Sequence, residues 1–289
     1  MSEPNPRLQK FSRGGVADPL RLQPRDIALL RDVWEFRFLN TEQLLSLHTG
    51  GVRNIKQRLS LLYQHGYLDR PAIQKTANLT SSHIIYSLGR KGAETLAKNA
   101  EEREGILRRV RENEHTLPLI AHSQMISQFR VCLMLALKKR PDVELTRWVQ
   151  GYDLKKVLSQ RGGNPPLVPD AFFVLETAAA KYPCFLEADR ATENEPRFLS
   201  KLKMYWRHNR EESFKNTIGI SNFRVLTITP NEGRARNLCR VAKDADDSRK
   251  GSPMYLFLSE TRYNTATPEA LLTAVWQSPK NDEPQAIVY

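Results

Sequence analysis

Apolar residues recur at three- and four-residue spacing from Ile27 through Leu30, Val33, Trp34 and Phe38, the period of a helix that buries one face. Pro24 suits the first turn of that helix, where a missing N–H costs nothing. The run Asn40-Thr41-Glu42-Gln43 opens a second helix. Asn40 caps it, Gln43 stands at the reciprocal position, and Leu44, Leu45 and Leu47 form its apolar side. His48-Thr49-Gly50-Gly51 breaks the pattern, and a third helix is predicted over 52–64 with Ile55, Leu59 and Leu62 inside, ended by Gly66. Short extended segments follow. A strand begins at Tyr67-Leu68, residues 71–80 read as a polar turn region, 82–88 as a returning strand, and 93–99 as a helix.

The pattern changes beyond a densely charged stretch, 101–114, that reads as a solvated helix or linker. A helix is predicted over 119–139, a strand over 143–150, and a basic, glycine-containing insertion over 151–166. A hairpin of 171–175 and 184–189 comes next, then a helix (195–210), a strand (223–229), a helix (232–243), a strand (254–258) and a last helix (268–277). That alternation implies an α/β domain with a central mixed sheet. Residues 1–23 hold Pro4, Pro6, Gly14, Gly15 and Pro19 with little periodicity. The expected organisation is therefore a flexible basic arm (1–23), a first domain (24–100), a charged linker helix (101–114) and an α/β domain (115–289).

Composition narrows the class. Lys and Arg number 44 against 32 Asp and Glu, a net charge of +12, which favours a polyanionic partner, nucleic acid first. Residues 1–98 carry 15 basic and 8 acidic side chains, so +7 of the surplus sits in the first third. The longest strongly apolar run, 131–137, is far short of the ~20 residues of a membrane span. Three separated cysteines, Cys132, Cys184 and Cys239, make neither a disulfide framework nor a Cys-x-x-Cys metal site, and a cytoplasmic location is expected.

Three helices, a two-stranded hairpin and a closing helix are the parts of a winged helix-turn-helix. Its third helix would be the recognition helix, presenting Arg53, Asn54, Lys56, Gln57 and Arg58 to base edges and phosphates of duplex DNA. Arg70 and Lys75 are the wing's candidates for backbone contact.

In the second domain Pro169-Asp170 precedes one strand of the hairpin, and Glu187-Ala188-Asp189-Arg190 ends the other. Side chains alternate along a strand, so Glu187 and Asp189 share a face, with Asp170 converging from the neighbouring strand. Three carboxylates at one sheet edge call for a cation, and Mg²⁺ is the natural one, through Asp170, Glu187 and Asp189. Lys201 and Tyr205, four apart, share a face of the next helix, which also carries Lys203. The alternative is a structural ion-pair network of the same carboxylates with Arg190, Lys201 and Lys203.

This arrangement resembles the PD-(D/E)xK nuclease superfamily, with its restriction-endonuclease-like mixed sheet. The resemblance implies that Asp170 and Glu187 hold Mg²⁺ and that a lysine two residues after the glutamate orients the attacking water. Asp189 occupies that lysine position here, a departure that leaves Arg190, Lys201 and Lys203 as sources of the positive charge. The stretches Val168-Pro169-Asp170-Ala171-Phe172-Phe173, Phe185-Leu186-Glu187-Ala188-Asp189-Arg190-Ala191-Thr192-Glu193 and Lys201-Leu202-Lys203-Met204-Tyr205 also resemble the replication–relaxation family of bacterial plasmids and mobile elements, over about residues 25–230. Membership implies a DNA-binding protein of plasmid replication or relaxation, with duplex DNA, a second copy of the chain, and plasmid replication or transfer proteins as partners. Its nuclease-like domain would be either degenerate or an active Mg²⁺-dependent endonuclease or nickase. A winged-helix transcription regulator with a non-catalytic dimerisation domain is the remaining reading.

Overall fold

The computed structural model describes residues 10–14, 19–75, 84–97, 100–111, 117–159, 165 and 167–288. The chain divides into two compact units, 1–128 and 129–289.

In the first unit, α1 (Pro24–Phe36), α2 (Thr41–Leu47) and α3 (Val52–Gln64) follow the predicted order. The cap of α2 is the expected one. Asn40 Oδ1 accepts from the Gln43 backbone N–H at 2.9 Å, and Gln43 Oε1 accepts from the Asn40 N–H at 2.8 Å. The strands β1 (Leu39–Asn40), β2 (Leu68–Asp69) and β3 (Ile85–Leu88) form an antiparallel sheet in the order β1-β3-β2. The short β1 is an element that periodicity did not reveal. Residues 76–83 of the expected wing lie outside the described residues. The helix α4 (Arg90–Leu96) closes onto β2 through Gly92, where a Cβ would stand 2.2 Å from the Tyr67 carbonyl oxygen.

The described part of the expected flexible arm is tied down. Arg13 Nε donates to the Tyr63 carbonyl at 2.9 Å, its guanidinium pairs with Asp69, and Gln64 brackets the segment by accepting from the Gly14 N–H and donating to the Ser12 carbonyl. After α5 (Ala100–Arg111) comes α6 (Leu117–Leu137), and the division between units falls inside α6, later than the boundary expected at 101–114. The reason is packing. Ile120 clusters with Phe38 and Ile85, Gln124 and Ser127 donate to the Phe38 carbonyl, and Gln43 donates to Gln128.

The second unit is a mixed five-stranded sheet, β4 (Glu144–Gln150), β5 (Ala171–Glu176), β6 (Lys181–Ala188), β7 (Arg224–Thr229) and β8 (Tyr255–Ser259), in sequence order across the sheet. The first three strands pair antiparallel; β7 and β8 run parallel to β6. One face carries Phe129 of α6 among Trp148, Phe173, Tyr263 and Trp276. The other face buries Phe172, Phe185 and Val225 under α7 (Gly151–Leu158), α8 (Glu195–Arg210) and α10 (Glu232–Val241), with the short α9 (Lys215–Ile218) beside them. Two expectations are corrected. The segment read as a basic, glycine-containing insertion begins with α7, because Leu154 and Leu158 bury one side of it. The last predicted helix is only a 3-10 turn, Pro268–Leu272, after which Trp276 and Gln277 make β-bridges.

Candidate active site at the sheet edge

Strand register brings the expected acids together. Ala171 pairs with Leu186, so Asp170 and Glu187 stand across from each other at the next position, where β5 begins and β6 ends. Glu187 shares its face with Phe185, which lies in the core beneath α8. Asp170 is held by the end of the neighbouring strand β6: its N–H donates to the Leu186 carbonyl at 3.1 Å, and its Oδ2 accepts from the Ala188 N–H at 2.8 Å.

Glu187 is 2% exposed. Its Oε2 accepts from Lys201 Nζ at 2.9 Å and its Oε1 from the Tyr205 hydroxyl at 2.5 Å. The four-residue spacing of Lys201 and Tyr205 puts both on the face of α8 that covers β6. Burial, with the Asp170 charge adding to it, pushes Glu187 up to about 7 against the opposite pull of Lys201 and Tyr205. Burial pulls the Lys201 ammonium down, but Glu187, Asp170 and Glu193 outweigh it and its pKa is raised. Burial, then the charges of Glu187 and Asp170, hold the Tyr205 phenol well above its usual value.

Asp189 is not the third member of this group. The Arg234 fork takes both its oxygens, Nε to Oδ2 at 2.7 Å and Nη2 to Oδ1 at 3.0 Å, and the Ala191 N–H also donates to Oδ2. Strand β6 ends at Ala188, and Asp189 turns toward α10 rather than α8. Among the described residues no three His, Cys, Asp or Glu side chains are placed to hold one metal ion. The two that remain, Asp170 and Glu187, are hard oxygen donors at one edge. They fit Mg²⁺, an ion held by one or two carboxylates while it keeps several waters.

Of the other candidate cations, Lys203 lies away from Glu187, at a cavity of about 670 Å³ lined by Trp206, Arg207 and Arg210. The charge of Arg190 acts on Glu260. Two participants were not predicted. Arg234 had no motif to announce it. Thr227, in register beside Glu187 on β7, has a buried hydroxyl with no hydrogen-bond partner among the described residues.

In the first unit Arg53, Asn54, Lys56 and Gln57 are exposed along α3, and Lys75 is exposed with its ammonium over the Phe11 ring. Two expected DNA contacts turn inward instead. Arg58 Nε donates to the fully buried Asp26 at 2.9 Å. Arg70 is 8% exposed, donates to the Lys10 carbonyl and stacks 4.2 Å from the Tyr63 ring centroid. Arg58 thus pairs with a carboxylate shut off from water, and Arg70 Nη2 also donates to the buried Tyr86 hydroxyl at 3.3 Å.

Among solved structures, the chain is similar to restriction endonuclease FokI, at 11% identity over 76% of this chain and 41% of that one, with a TM-score of 0.29. It is also similar to FokI bound to DNA, at 12% identity over 77% and 43% of the two chains, with a TM-score of 0.24. The chain spans about two fifths of the length of those endonuclease chains. No curated protein matches it. No helix among the described residues is long and apolar enough to cross a membrane. The replication-relaxation family model matches residues 30–222, two thirds of the sequence, and takes in α3, the Asp170–Glu187 edge and the Lys201–Tyr205 face of α8; the chain belongs to the replication-relaxation family.

Proposed function

We propose that this chain is a DNA-acting protein of plasmid or mobile-element replication or relaxation, in which the first unit grips duplex DNA and the second cleaves a phosphodiester. The observation that carries the second half is the position of Lys201. Its ammonium is 2.9 Å from Glu187 Oε2, on a sheet whose edge already pairs Glu187 with Asp170. A lysine from α8 thus takes the place left by Asp189 in the strand motif. Asp170 and Glu187 would hold Mg²⁺, which supplies Lewis-acid stabilisation of charge on phosphate oxygens and lowers the pKa of bound water. Tyr205 fixes Glu187 through Oε1, and Lys201 places a positive charge beside the carboxylate pair. The Ala188 N–H orients Asp170. In the first unit Arg53, Asn54, Lys56 and Gln57 form the exposed side of a recognition helix, with backbone contacts from Lys75. A palindromic target would indicate that two copies act together, since dimer symmetry is mirrored in the DNA.

The test is incubation of the full chain with supercoiled, linear and single-stranded DNA in Mg²⁺, Mn²⁺ or EDTA. Metal-dependent nicking that is lost in both Glu187→Gln and Lys201→Met, with folding retained, is expected. DNA bound but left intact under every metal condition would overturn the cleavage reading and leave Glu187 and Lys201 a structural ion pair. Nicking that survives Glu187→Gln would place the chemistry elsewhere.

A further inference from the structure

Gln150, the last residue of β4, pairs with Ala171, and Ala171 pairs with Leu186. The next position on each of the three chains therefore forms one row at the end of the sheet, Gly151, Asp170 and Glu187. Gly151 has φ +59°, a left-handed backbone that glycine adopts without strain, and it turns the chain from β4 directly into α7. The first turn of α7 thus begins at the edge that carries the carboxylate pair. Leu154 and Leu158 of α7 are buried in the same cluster as Phe172, Phe185 and Leu202, so α7 lies on the same sheet face as Glu187 and α8.

Burying Leu154 and Leu158 turns the opposite side of α7 outward. Tyr152, Lys155 and Lys156, at spacings of three and four, share that side, and all three are exposed. Tyr152 is 65% exposed. The exposed large hydrophobic side chains among the described residues are Val52, Tyr152 and Val168; Tyr152 follows Gly151 in the row, and Val168, 40% exposed, precedes Asp170 by two residues. Two of these three residues thus stand within two residues of the row that carries the carboxylate pair. A largely exposed aromatic side chain one helical turn from two exposed lysines matches the chemistry of an unpaired nucleotide strand: a base stacks on the ring while phosphates meet the lysines. Duplex DNA does not match as well, because its base faces are already covered by their neighbours in the stack.

We propose that Tyr152, Lys155 and Lys156 form a holding surface for single-stranded DNA beside the Asp170–Glu187 edge; the inference rests on the reading of that edge as a DNA-cleaving site. Tyr152 would position an unpaired base, and the lysines would hold the flanking backbone so that an adjacent phosphate reaches the carboxylates.

The experiment is equilibrium binding of a fluorescent oligothymidylate and of a duplex to the full chain in EDTA, across a salt series, so that no cleavage intervenes. Tyr152→Ala is expected to weaken oligothymidylate binding by about 10-fold or more, the scale of one lost base stack, while Tyr152→Trp retains it. Lys155→Ala with Lys156→Ala should reduce the salt slope for the oligothymidylate by roughly 1.4, about 0.7 for each phosphate contact on a single strand. Duplex binding through the first unit should not change. Absence of oligothymidylate binding by the wild-type chain would overturn the proposal, as would unchanged affinity and slope in the variants, or an equal loss of single-strand and duplex binding. The two readings separate cleanly. Weakened oligothymidylate binding in Tyr152→Ala, with no metal-dependent cleavage by the wild type, would keep the surface and discard the cleavage site. Cleavage lost in Glu187→Gln, with unchanged single-strand binding in the α7 variants, would do the reverse.

Discussion

Replacing Arg234 by Met should unfold the second unit far more readily, although Arg234 touches neither Asp170 nor Glu187 in any hydrogen bond. Its guanidinium makes a two-point contact with Asp189, whose side chain is 3% exposed, and donates a further bond to the Glu193 carbonyl at 2.6 Å. Among the described residues, the Asp189 carboxylate keeps only the Ala191 N–H once the fork is gone. Removing one partner of a buried pair leaves an uncompensated charge and costs about 3–5 kcal/mol. For a unit the size of 129–289, about 2–4 °C of melting temperature corresponds to each kcal/mol, so Arg234→Met should lower the transition of that unit by about 6–20 °C. Adding Asp189→Asn removes the stranded charge while keeping an oxygen for the Ala191 N–H, and the double variant should recover a large part of the loss. The assay is thermal unfolding followed by circular dichroism on the full chain, with the two single variants and the double variant completing a cycle. A shift below about 2 °C for Arg234→Met, or a double variant no better than the single, would refute the argument that Asp189 is a buried charge held by Arg234. The same series bears on metal. If Asp189 is committed to Arg234, Asp189→Asn should leave Mg²⁺ affinity nearly unchanged, whereas Asp170→Ala should remove most of it.

Glu187 is raised to about 7 from an ordinary carboxylate value, so its proton competes with a cation: Mg²⁺ affinity and cleavage should climb as pH rises through about 7, and a pH–rate profile for the wild type that is flat from 6 to 8 would contradict this. The stability sign is opposite. The native state holds this proton more tightly than the unfolded chain, so the stabilisation from Glu187 is complete below its unfolded value near 4.5 and is lost as pH rises through about 7; melting curves of Glu187→Gln should lack that decline. Arg53→Ala with Lys56→Ala should weaken duplex binding and flatten its salt slope by roughly 0.9 per lost phosphate contact, whereas Arg58→Ala should act mainly on the stability of the first unit by stranding buried Asp26, as separate binding and melting measurements would show. Thr227→Val replaces a buried, unpartnered hydroxyl by a methyl of similar shape and should leave the melting temperature unchanged or higher; a marked drop would mean that the hydroxyl has a partner.

Local signals made much of this protein legible before its structure. Helices α1, α2, α3 and α8 were readable because each has a repeating apolar side, and α2 carries its own cap in Asn40 and Gln43. The pairing of Asp170 with Glu187 was readable too, because strand alternation and a short hairpin leave little freedom of register. Helix α7 was hidden by its brevity and by having only two buried leucines. The anchoring of residues 10–14 and the packing of the start of α6 on the first unit were not readable for a related reason. Arg13 and Gly14 find partners 50 residues away in the chain, Ile120 packs with the distant Phe38 and Ile85, and no local pattern encodes that.

The division is sharpest among the charges. The sequence alone determined which ionisable groups were present, their helical and strand periods, and that Asp189 stands where the motif has a lysine. It could not determine how they pair. Of the four basic residues near the acids, Lys201 reaches Glu187, Arg234 reaches Asp189, Lys203 faces a different cavity and Arg190 acts on Glu260. That choice depends on which helix covers which strand end, α8 over Glu187 and α10 beside Asp189. It depends equally on burial, because an ammonium or guanidinium beside a carboxylate matters little in water and a great deal where neither group can be hydrated. Exposure was decided the same way: Arg58 and Arg70 have the composition of a DNA contact, but the folded unit spends them on Asp26 and on the tyrosine pair around Arg70, and leaves Arg53 and Lys56 to the solvent.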